Sequence, residues 1–393
     1  MRNNNEGFNN SSLKIRNRGL IFKLIATGQC TSRIELAKMS GLTKMSVTNI
    51  VSEFMASGLV EEIDIETKMN VGRNPISLDI SRKAPKIIGL LVGRDSCSAV
   101  LCDFKLRVLK QLHTDLGQCN REKLIDKIFS LIDKMLEYEP NVVGIGVCSI
   151  GPVDIHNGII LNPPNFYGIK NVPIVSILTE KYHLPASLEG QYNCAALAEK
   201  YYGNCMEYHD FIFLGITNGV GSGIIVNDQI LSNAHGLGSE IGHISVDYKG
   251  NQCVCGNRGC LETYIGIKVM NAKLAKITGI CNSFENYCKQ YKDAGVDEVL
   301  TDMAEKMACA LTTAVNMLHC QAIVIGDQGN YIPKKYTQLL EELINESKIS
   351  DKGLKTVVVK PYFKENAQLV GSAVCFINKV FQSDVLANIM PFK

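Results

Sequence analysis

The sequence predicts an α/β protein in which a small helical head precedes two α/β lobes. The chain of 393 residues is too long for one ordinary hydrophobic core. Beyond the first eighty residues, β-rich segments twice lead into series of helical segments, which is typical of sheets covered by helices. The first sixty residues hold eight Lys and Arg against three Glu, a balance of +5, whereas the whole chain carries +2. A basic head on a nearly neutral body predicts an anionic partner for the head alone.

Composition excludes several classes of protein. Hydrophobic residues make up 46% of the chain and charged residues 20%, as expected for a folded globular protein. No apolar run reaches the roughly 18–20 residues that a membrane span needs. The first twelve residues are polar and lack the apolar core of a signal peptide, so we expect a disordered tail over 1–12 and a cytoplasmic protein without membrane insertion.

The head shows the signals of a helix-turn-helix. Residues 15–27 place apolar side chains at helical spacing. Ser32 and Glu35 form a capping box for a short second helix, and Gly41 lies in a tight turn. Thr43 can cap a third helix, whose polar outward residues at its start are suited to reading base edges in the major groove.

Two alternating strand segments, LVEEIDI and PISLDIS, follow the third helix and predict the wing of a winged helix over residues 13–82. The loop between them carries Arg73 at its tip, beside a glycine, which suits insertion into a narrow minor groove. The alternative is a small helical domain with a solvated polar face, in which Arg73 is only a loop charge. The candidate DNA-contacting residues are Arg33, Thr43, Lys44, Met45, Ser46, Thr48, Asn49 and Arg73.

The body is predicted as two lobes with a ligand cleft between them. Strands are expected within 86–104, 142–148, 211–228 and 322–330. Helices are expected at 121–137, 170–182, 191–202, 266–278, 300–318, 333–347 and 364–382. The first lobe would span 83–190 and be completed by a final helix at about 364–385, and the second lobe would span 191–363.

Cysteine usage points to one special segment. The chain has fifteen cysteines, an odd number, and most stand alone in apolar segments, where they behave as small buried hydrophobes in a reducing cell. Residues 253–260, CVCGNRGC, hold three cysteines within eight positions. One disulfide would leave a free thiol in this segment, so a metal site is the alternative explanation.

Several motifs together resemble the ROK family of repressors, open reading frames and kinases, over about residues 13–385. These motifs are GR at 72–73, GPVD at 151–154, NPPNF at 162–166, GLGSEIGHISVD at 236–247 and CVCGNRGCLE at 253–262. With the winged helix in front, the chain is similar to the repressor branch that includes xylose- and glucose-type repressors. The resemblance implies a two-lobed actin/hexokinase-like, ribonuclease-H-like fold for the body.

The resemblance also implies a structural zinc ion bound by His243, Cys253, Cys255 and Cys260, which are spaced H-x9-C-x-C-x4-C. Four nitrogen and sulfur ligands fill a tetrahedral zinc site and leave no open position. The ion would order residues 244–260 and allow a helix to start at Leu261. In relatives the histidine also contacts the sugar. The sugar-contacting positions carried over from relatives are Asn165, Gln191, Glu240, His243 and Glu262.

Kinase chemistry is not expected, because this chain departs from the pattern of its kinase relatives at three places. Gln191 stands where the kinases have the Asp that accepts the proton of the sugar hydroxyl, and Gly190 replaces the preceding Asn. Leu91 stands where a phosphate-loop Asp is expected, and Asp327 interrupts a Gly-Gly loop on the adenosine side. The glycine-rich NGVGSG at 218–223 remains, although such a motif alone is a weak indication of phosphate binding.

The sequence therefore predicts a sugar-responsive repressor that binds operator DNA as a homodimer or homotetramer. Because Gly190 leaves space and two contacts differ, we expect a pentose, a disaccharide or a substituted sugar rather than glucose. One alternative is a repressor with a vestigial pocket that is controlled by a protein partner. A residual sugar kinase is another, and activation instead of repression stays open.

Overall fold

The structure, a computed structural model, describes residues 10–64, 76–232, 238–349, 353–382 and 385–390. Residues 1–9, to which most of the predicted disordered tail belongs, lie outside this part of the chain. The chain divides into two compact units. Unit 1 comprises Met1–Glu189 and Ser372–Lys393, and unit 2 comprises Gly190–Gly371.

Unit 1 begins with the head, which has three helices followed by an antiparallel pair of strands. The elements are α1 (Asn10–Ala26), α2 (Arg33–Ser40), α3 (Lys44–Ala56), β1 (Val60–Asp64) and β2 (Ile76–Ile80). The capping box holds, because the Ser32 side chain accepts from the Glu35 N–H and the Glu35 carboxylate accepts from the Ser32 N–H. Thr43 caps α3, as the sequence predicted. The first helix starts five residues earlier than the predicted Ile15.

The rest of unit 1 is built on a five-stranded sheet with the order β5-β4-β3-β6-β9. Its elements are β3 (Lys86–Val92), β4 (Ser96–Cys102), β5 (Val108–Asp115), α4 (Arg121–Tyr138), β6 (Val142–Ser149), β7 (Val153–Asp154), β8 (Ile159–Ile160), α5 (Ile174–Tyr182) and β9 (Ala186–Gly190). The sheet and α4 enclose one apolar core, to which α4 contributes five buried residues. The predicted glycine turn between β3 and β4 is present at Gly93, whose N–H donates to the Ser96 carbonyl.

Unit 2 repeats this strand order in its own sheet, β12-β11-β10-β13-β14. Its elements are α6 (Gln191–Tyr202), β10 (Phe211–Ile216), β11 (Val220–Val226), β12 (Gln229–Ile230), α7 (Glu262–Ile265), α8 (Ile267–Thr278), α9 (Phe284–Lys289), α10 (Ala294–Leu318), β13 (Ala322–Asp327), α11 (Lys334–Ser347) and β14 (Val357–Val359). In each sheet the first two strands form an antiparallel hairpin and the first strand pairs in parallel with the fourth. Two units with one strand order indicate a repeated architecture.

The last helices are α12 (Ala367–Gln382) and α13 (Val385–Ile389), where the sequence predicted one helix over about 364–385. The residues of α12 divide between the two units at Gly371 and Ser372. Within unit 1, Ser187 Oγ of β9 lies 3.2 Å from Cys375 Sγ of α12. The C-terminal part of α12 therefore packs against the unit 1 sheet.

The head is joined to unit 1 through an aromatic cluster. The Phe22 ring of α1 lies 5.4 Å from the ring of Phe54 in α3, and 5.0 and 6.2 Å from the rings of Phe104 and Phe381. Edge-on aromatic pairs of this kind stabilise by roughly 0.5–1.5 kcal/mol each beyond the burial of their area. The first helix is thus shared between the core of the head and the body of unit 1.

Candidate functional site

Four side chains of unit 2 converge beside a short 3-10 helix, Ile241–His243. The ligand atoms of these residues all lie within 4.8 Å of one another, and the residues are His243, Cys253, Cys255 and Cys260. Cys255 Sγ lies 3.7 Å from Cys260 Sγ, and Cys253 Sγ lies 3.5 Å from His243 Nδ1. A tetrahedral zinc ion with Zn–S distances of about 2.3 Å places its sulfurs about 3.8 Å apart. The side chains present therefore fit a four-coordinate metal.

The backbone of this cluster is folded tightly by its own hydrogen bonds. The Cys253 N–H donates to the Asn257 carbonyl at 2.9 Å, and Ser245 bridges to Cys260. The Leu261 N–H then donates to the Ile244 carbonyl at 2.9 Å, and α7 begins one residue later, close to the predicted helix start. The segment from His243 to Cys260 is called the cysteine knot below, although its three cysteines are free thiols and form no disulfide. This segment sets the position of Glu262.

The thiols of the knot lie in different surroundings. Cys255 is exposed, and a hydrogen bond from the Asn257 N–H, the main cause, lowers the pKa of its thiol. Cys260 is fully buried, and burial raises the pKa of its thiol to about 12. A bound cation would stabilise the thiolate form at both positions, since metal ligation and deprotonation are linked.

Two carboxylates stand next to the knot. Glu240 is exposed, but the protein atoms packed near its carboxyl raise its pKa, an effect that His243 opposes and Glu262 reinforces. Glu262 Oε2 accepts a hydrogen bond of 2.9 Å from the Val220 N–H, at the start of β11. The structure therefore brings Glu240, His243 and Glu262 together, and the Nδ1 contact with Cys253 leaves the His243 Nε2 for another partner.

Gln191 belongs to the same group of residues. It is the first residue of α6 and shares a hydrogen bond with the phenol of Tyr192, which also bonds with Thr217 and faces Glu262 and Asp327. Four of the five predicted sugar-contacting residues are thus gathered in unit 2. The sequence analysis missed Tyr192, although an aromatic side chain directly after Gln191 was a visible signal.

The fifth predicted sugar residue, Asn165, lies in unit 1, where it is exposed and adopts a positive φ of 55°. Its role stays a prediction. Leu91, also in unit 1, is half-buried in β3 and offers no carboxylate at the predicted phosphate-loop position. The neighbouring Asp95 hydrogen-bonds with the phenol of Tyr167.

Asp327 ends β13 in a buried position with a positive φ of 53°. Gln368 Nε2 donates to both of its carboxylate oxygens, at 3.1 and 3.0 Å. Burial raises the pKa of this carboxyl to about 7. Asp327 is therefore an internally bonded group at the end of the strand, and in its ionised form it would oppose an approaching phosphate.

The head presents most of its candidate DNA-contacting side chains on the first turns of α3. Thr43, Lys44, Thr48 and Asn49 are exposed, and Met45 is 76% exposed. Thr43 and Ser46 Oγ atoms lie 2.9 Å apart, and Thr48 Oγ1 donates to the Lys44 carbonyl at 2.8 Å. These bonds leave the Lys44, Met45 and Asn49 side chains as the most available of the set.

Two predicted DNA-contacting arginines differ from this group. The Arg33 guanidinium forms an ion pair of 2.5 Å with Glu62 of β1 and also contacts Met55 Sδ at 3.5 Å, so it ties α2 to the wing and to α3. These contacts give Arg33 a structural role within the head, and its contact with DNA stays a prediction. Arg73, with the GR motif, lies outside the described residues.

Solved structures with similar folds show the fold class of the chain. A crystal structure of a ROK family transcriptional regulator, a homolog of the Escherichia coli MLC protein, aligns with a TM-score of 0.83 at 23% identity, covering 97% of this chain and 100% of that one. The ROK hexokinase from Thermus thermophilus aligns with a TM-score of 0.63 at 22% identity, covering 74% of this chain and 97% of that one. The fold is thus a winged helix-turn-helix followed by the α/β fold that ROK regulators and ROK kinases share.

The sequence profile of the ROK family matches residues 87–379, and the chain belongs to this family. The xylose repressor of Caldicellulosiruptor bescii is 26% identical, over 94% of this chain and 97% of that protein. The xylose repressor of Bacillus subtilis is 27% identical, over 84% and 86%. The N-acetylglucosamine repressor of Escherichia coli O157:H7 is 28% identical, over 85% of each chain.

Among the described residues, no helix combines the length and the apolar character that crossing a bilayer requires.

Proposed function

We propose that this protein is a sugar-responsive transcriptional repressor that binds operator DNA through its winged head, as a homodimer or homotetramer. The observation that carries the proposal is the grouping of Gln191, Glu240, His243 and Glu262 in unit 2 of a chain that also has a winged head. Carboxylates and an amide side by side suit the hydroxyls of a sugar, since each accepts or donates more than one hydrogen bond. The repressor names of the full-length relatives support the same function.

The expected effector is a neutral sugar other than glucose: a pentose, a disaccharide or a substituted sugar. A Cβ added at Gly190 would meet no atom within 4 Å, so there is open space beside Gln191. A sugar can shift operator binding only by binding two states of the protein with different affinity. We infer that the sugar contacts unit 2 at these residues and thereby changes how the heads meet DNA.

The first experiment is fluorescence anisotropy with DNA from upstream of the protein's own gene, repeated with a panel of sugars. We expect specific binding that one sugar changes by tenfold or more, which corresponds to about 1.4 kcal/mol of coupling. In Glu240→Gln the operator affinity without sugar should be unchanged and the response to sugar should fall. Glu298→Gln, an exposed residue of α10, is the matched control and should respond like wild type. Specific binding indifferent to every sugar would point instead to a vestigial pocket.

We further propose that the body has no sugar kinase activity. The amide of Gln191 cannot accept the proton of a sugar hydroxyl as a carboxylate can, and Leu91 supplies no charge for a metal-bound phosphate. A coupled assay for ADP release should therefore show no increase when sugars of the panel are added with magnesium ATP. Sugar-dependent turnover would overrule this part of the proposal.

The metal of the cysteine knot is proposed to be zinc, in a structural role. Its donor set of three sulfurs and one nitrogen is one that zinc favours, and all four positions are filled by the chain. Bound there, zinc would hold the ends of the knot together and fix the ring of His243 with its Nε2 free. The knot in turn positions Glu262, as described above.

Replacing Cys255 by Ser tests this assignment. We expect wild type to hold about one zinc per chain and Cys255→Ser to lose it and unfold at a lower temperature, because structural zinc binding contributes directly to folding. Cys281→Ser is the control, since Cys281 is also exposed but is not one of the four proposed ligands. Elemental analysis and thermal unfolding measure both effects, and full zinc content in Cys255→Ser would show that the ligand set is wrong.

A further inference from the structure

The glycine-rich hairpin of unit 2 is covered by a side chain of the same unit. Gly215 of β10 and Gly221 of β11 are cross-strand partners. A Cβ on Gly215 would lie 2.1 Å from Cε1 of Tyr192, and a Cβ on Gly221 would lie 2.0 Å from Cε2. The two edges of the phenol ring therefore each rest on one glycine. Any side chain at either position would displace the ring, so this glycine pair forms a seat for Tyr192.

The backbone donors at the turn of this hairpin are also engaged. The Val220 N–H donates to Glu262 Oε2 at 2.9 Å, and the Gly219 N–H donates to Thr217 Oγ1 at 3.3 Å. Glycine-rich turns hold phosphates when such N–H groups point into open space above small residues. In this chain the Glu262 carboxylate and the Thr217 hydroxyl accept from these N–H groups, and the Tyr192 ring occupies the space above the glycines.

The Tyr192 hydroxyl lies among the candidate sugar residues. It hydrogen-bonds with Gln191 and Thr217, and the carboxylates of Glu262 and Asp327 are nearby. The side chain is half-buried, so part of it remains accessible. Burial, reinforced mainly by Asp327, raises the pKa of the phenol, which keeps it neutral and able to donate a hydrogen bond. An anionic group at this point would meet Glu262 and, when it is ionised, Asp327.

We propose that the Tyr192 ring closes the face of the hairpin on which a phosphate would otherwise bind. Its hydroxyl is then a specificity-determining group of the effector site, which admits neutral sugars and excludes phosphate esters. The inference rests on the proposed function for the sugar, whereas the closed face of the hairpin is independent of it. The glycines at 215 and 221 are then needed for packing against Tyr192, not for contact with a ligand.

The hydroxyl is tested with Tyr192→Phe, which keeps the ring on its seat. With the sugar found in the anisotropy panel, calorimetry should show affinity about tenfold weaker than wild type, the usual effect of one lost hydrogen bond. The melting temperature without sugar should fall by only a few degrees, because the bonds of the hydroxyl with Gln191 and Thr217 are lost while the ring keeps its packing. Tyr202→Phe, at the other end of α6, is the control and should bind like wild type. Wild-type affinity in Tyr192→Phe would overturn the role of the hydroxyl.

The closed face is tested without any sugar, by thermal unfolding with millimolar sodium tripolyphosphate. Wild type and Tyr192→Phe should show no shift in melting temperature. The double variant Tyr192→Ala/Glu262→Ala should be protected, because its glycine pair is uncovered and its Val220 N–H has lost the Glu262 carboxylate. Protection of wild type would overturn the proposal even if the double variant failed to fold, and a folded double variant without protection would also overturn it. If no sugar binds wild type while these shifts occur as expected, the proposed effector fails and the closed face stands.

Discussion

The cysteine knot depends on the residue type at Gly259. This residue has a φ of +68°, and a Cβ on it would lie 1.7 Å from the Asp247 carbonyl oxygen. Gly256 has a φ of +95°, but a Cβ there would meet no atom within 4 Å. An alanine at Gly256 would therefore introduce backbone strain alone, whereas an alanine at Gly259 would introduce both backbone strain and steric overlap.

We expect Gly259→Ala to lower the free energy of unfolding by about 3 kcal/mol and to weaken zinc retention, since strain and overlap add. Gly256→Ala is the control and should lose only about 1–2 kcal/mol, the strain of a left-handed backbone. Denaturant unfolding and competition for zinc by a chelator measure the two effects. Equal losses in both variants would mean that the Asp247 contact relaxes without penalty.

At this scale the sequence predicted some features of the site and missed others, for a physical reason. The three cysteines lie within eight positions, so their grouping was predictable from the residues, whereas His243 was assigned through the resemblance to the family. The seat of Tyr192 was not predictable, because it depends on a contact between α6 and a hairpin more than twenty residues further along the chain. The ion pair between Arg33 and Glu62 was not predictable either, because it spans 29 positions and leaves no local signal.

Among the elements, helix starts were predicted well where a side chain caps them close to an apolar pattern. The short helix after Ser32 begins at the residue that the capping box indicates. In contrast, α10 begins at Ala294 rather than at the predicted residue 300, because Asp293 caps it by accepting from the Gly295 and Val296 N–H groups. The glycine at 295 hid this start, since glycine disfavours helix interiors. Strand β5 was missed because it is largely exposed and lacks a continuous apolar run.

Two exposed residues of α3, Lys44 and Asn49, are predicted to contact DNA in different ways. Asn49→Ala should weaken binding to the operator by roughly 1–3 kcal/mol and leave non-specific binding nearly unchanged, if its amide reads a base edge. Lys44→Ala should weaken binding to all sequences and reduce the slope of log affinity against log salt by about 1, as for a lost phosphate contact.

The control for this pair is Lys134→Ala, an exposed lysine of α4 in the body of unit 1. It removes the same charge far along the chain from the head and should leave both the affinity and the salt slope as in wild type. Anisotropy titrations at several salt concentrations, with operator and scrambled DNA, measure all three variants. Equal loss on operator and scrambled DNA for Asn49→Ala would exclude a base contact.

At the scale of the whole molecule, the proposed sugar residues belong to unit 2 and the head belongs to unit 1. An effect of the sugar on DNA binding therefore has to pass from one unit to the other. The chain passes between the units at Glu189 and Gly190, just before Gln191, and again within α12 at Gly371 and Ser372. A Cβ on Gly371 would lie 2.2 Å from the Cys194 carbonyl of α6, so the start of α12 rests on the helix that begins with Gln191. A continuous helix is a rigid element, which suits it to carry a displacement along its length.

The other end of α12 contacts the first helix of the head. A Cβ on Gly19 of α1 would lie 2.1 Å from the Phe381 carbonyl oxygen, so Gly19→Val should force α1 and α12 apart. If α12 carries the signal, this variant should bind the sugar and the operator separately about as wild type does, while the tenfold effect of sugar on operator affinity falls toward none. Leu20→Val, at the exposed neighbouring position, introduces the same side chain and should keep the full response. Calorimetry with sugar alone and anisotropy with both ligands separate the two effects. A full sugar response in Gly19→Val would show that the coupling reaches the head by another route, through β9 and the sheet of unit 1.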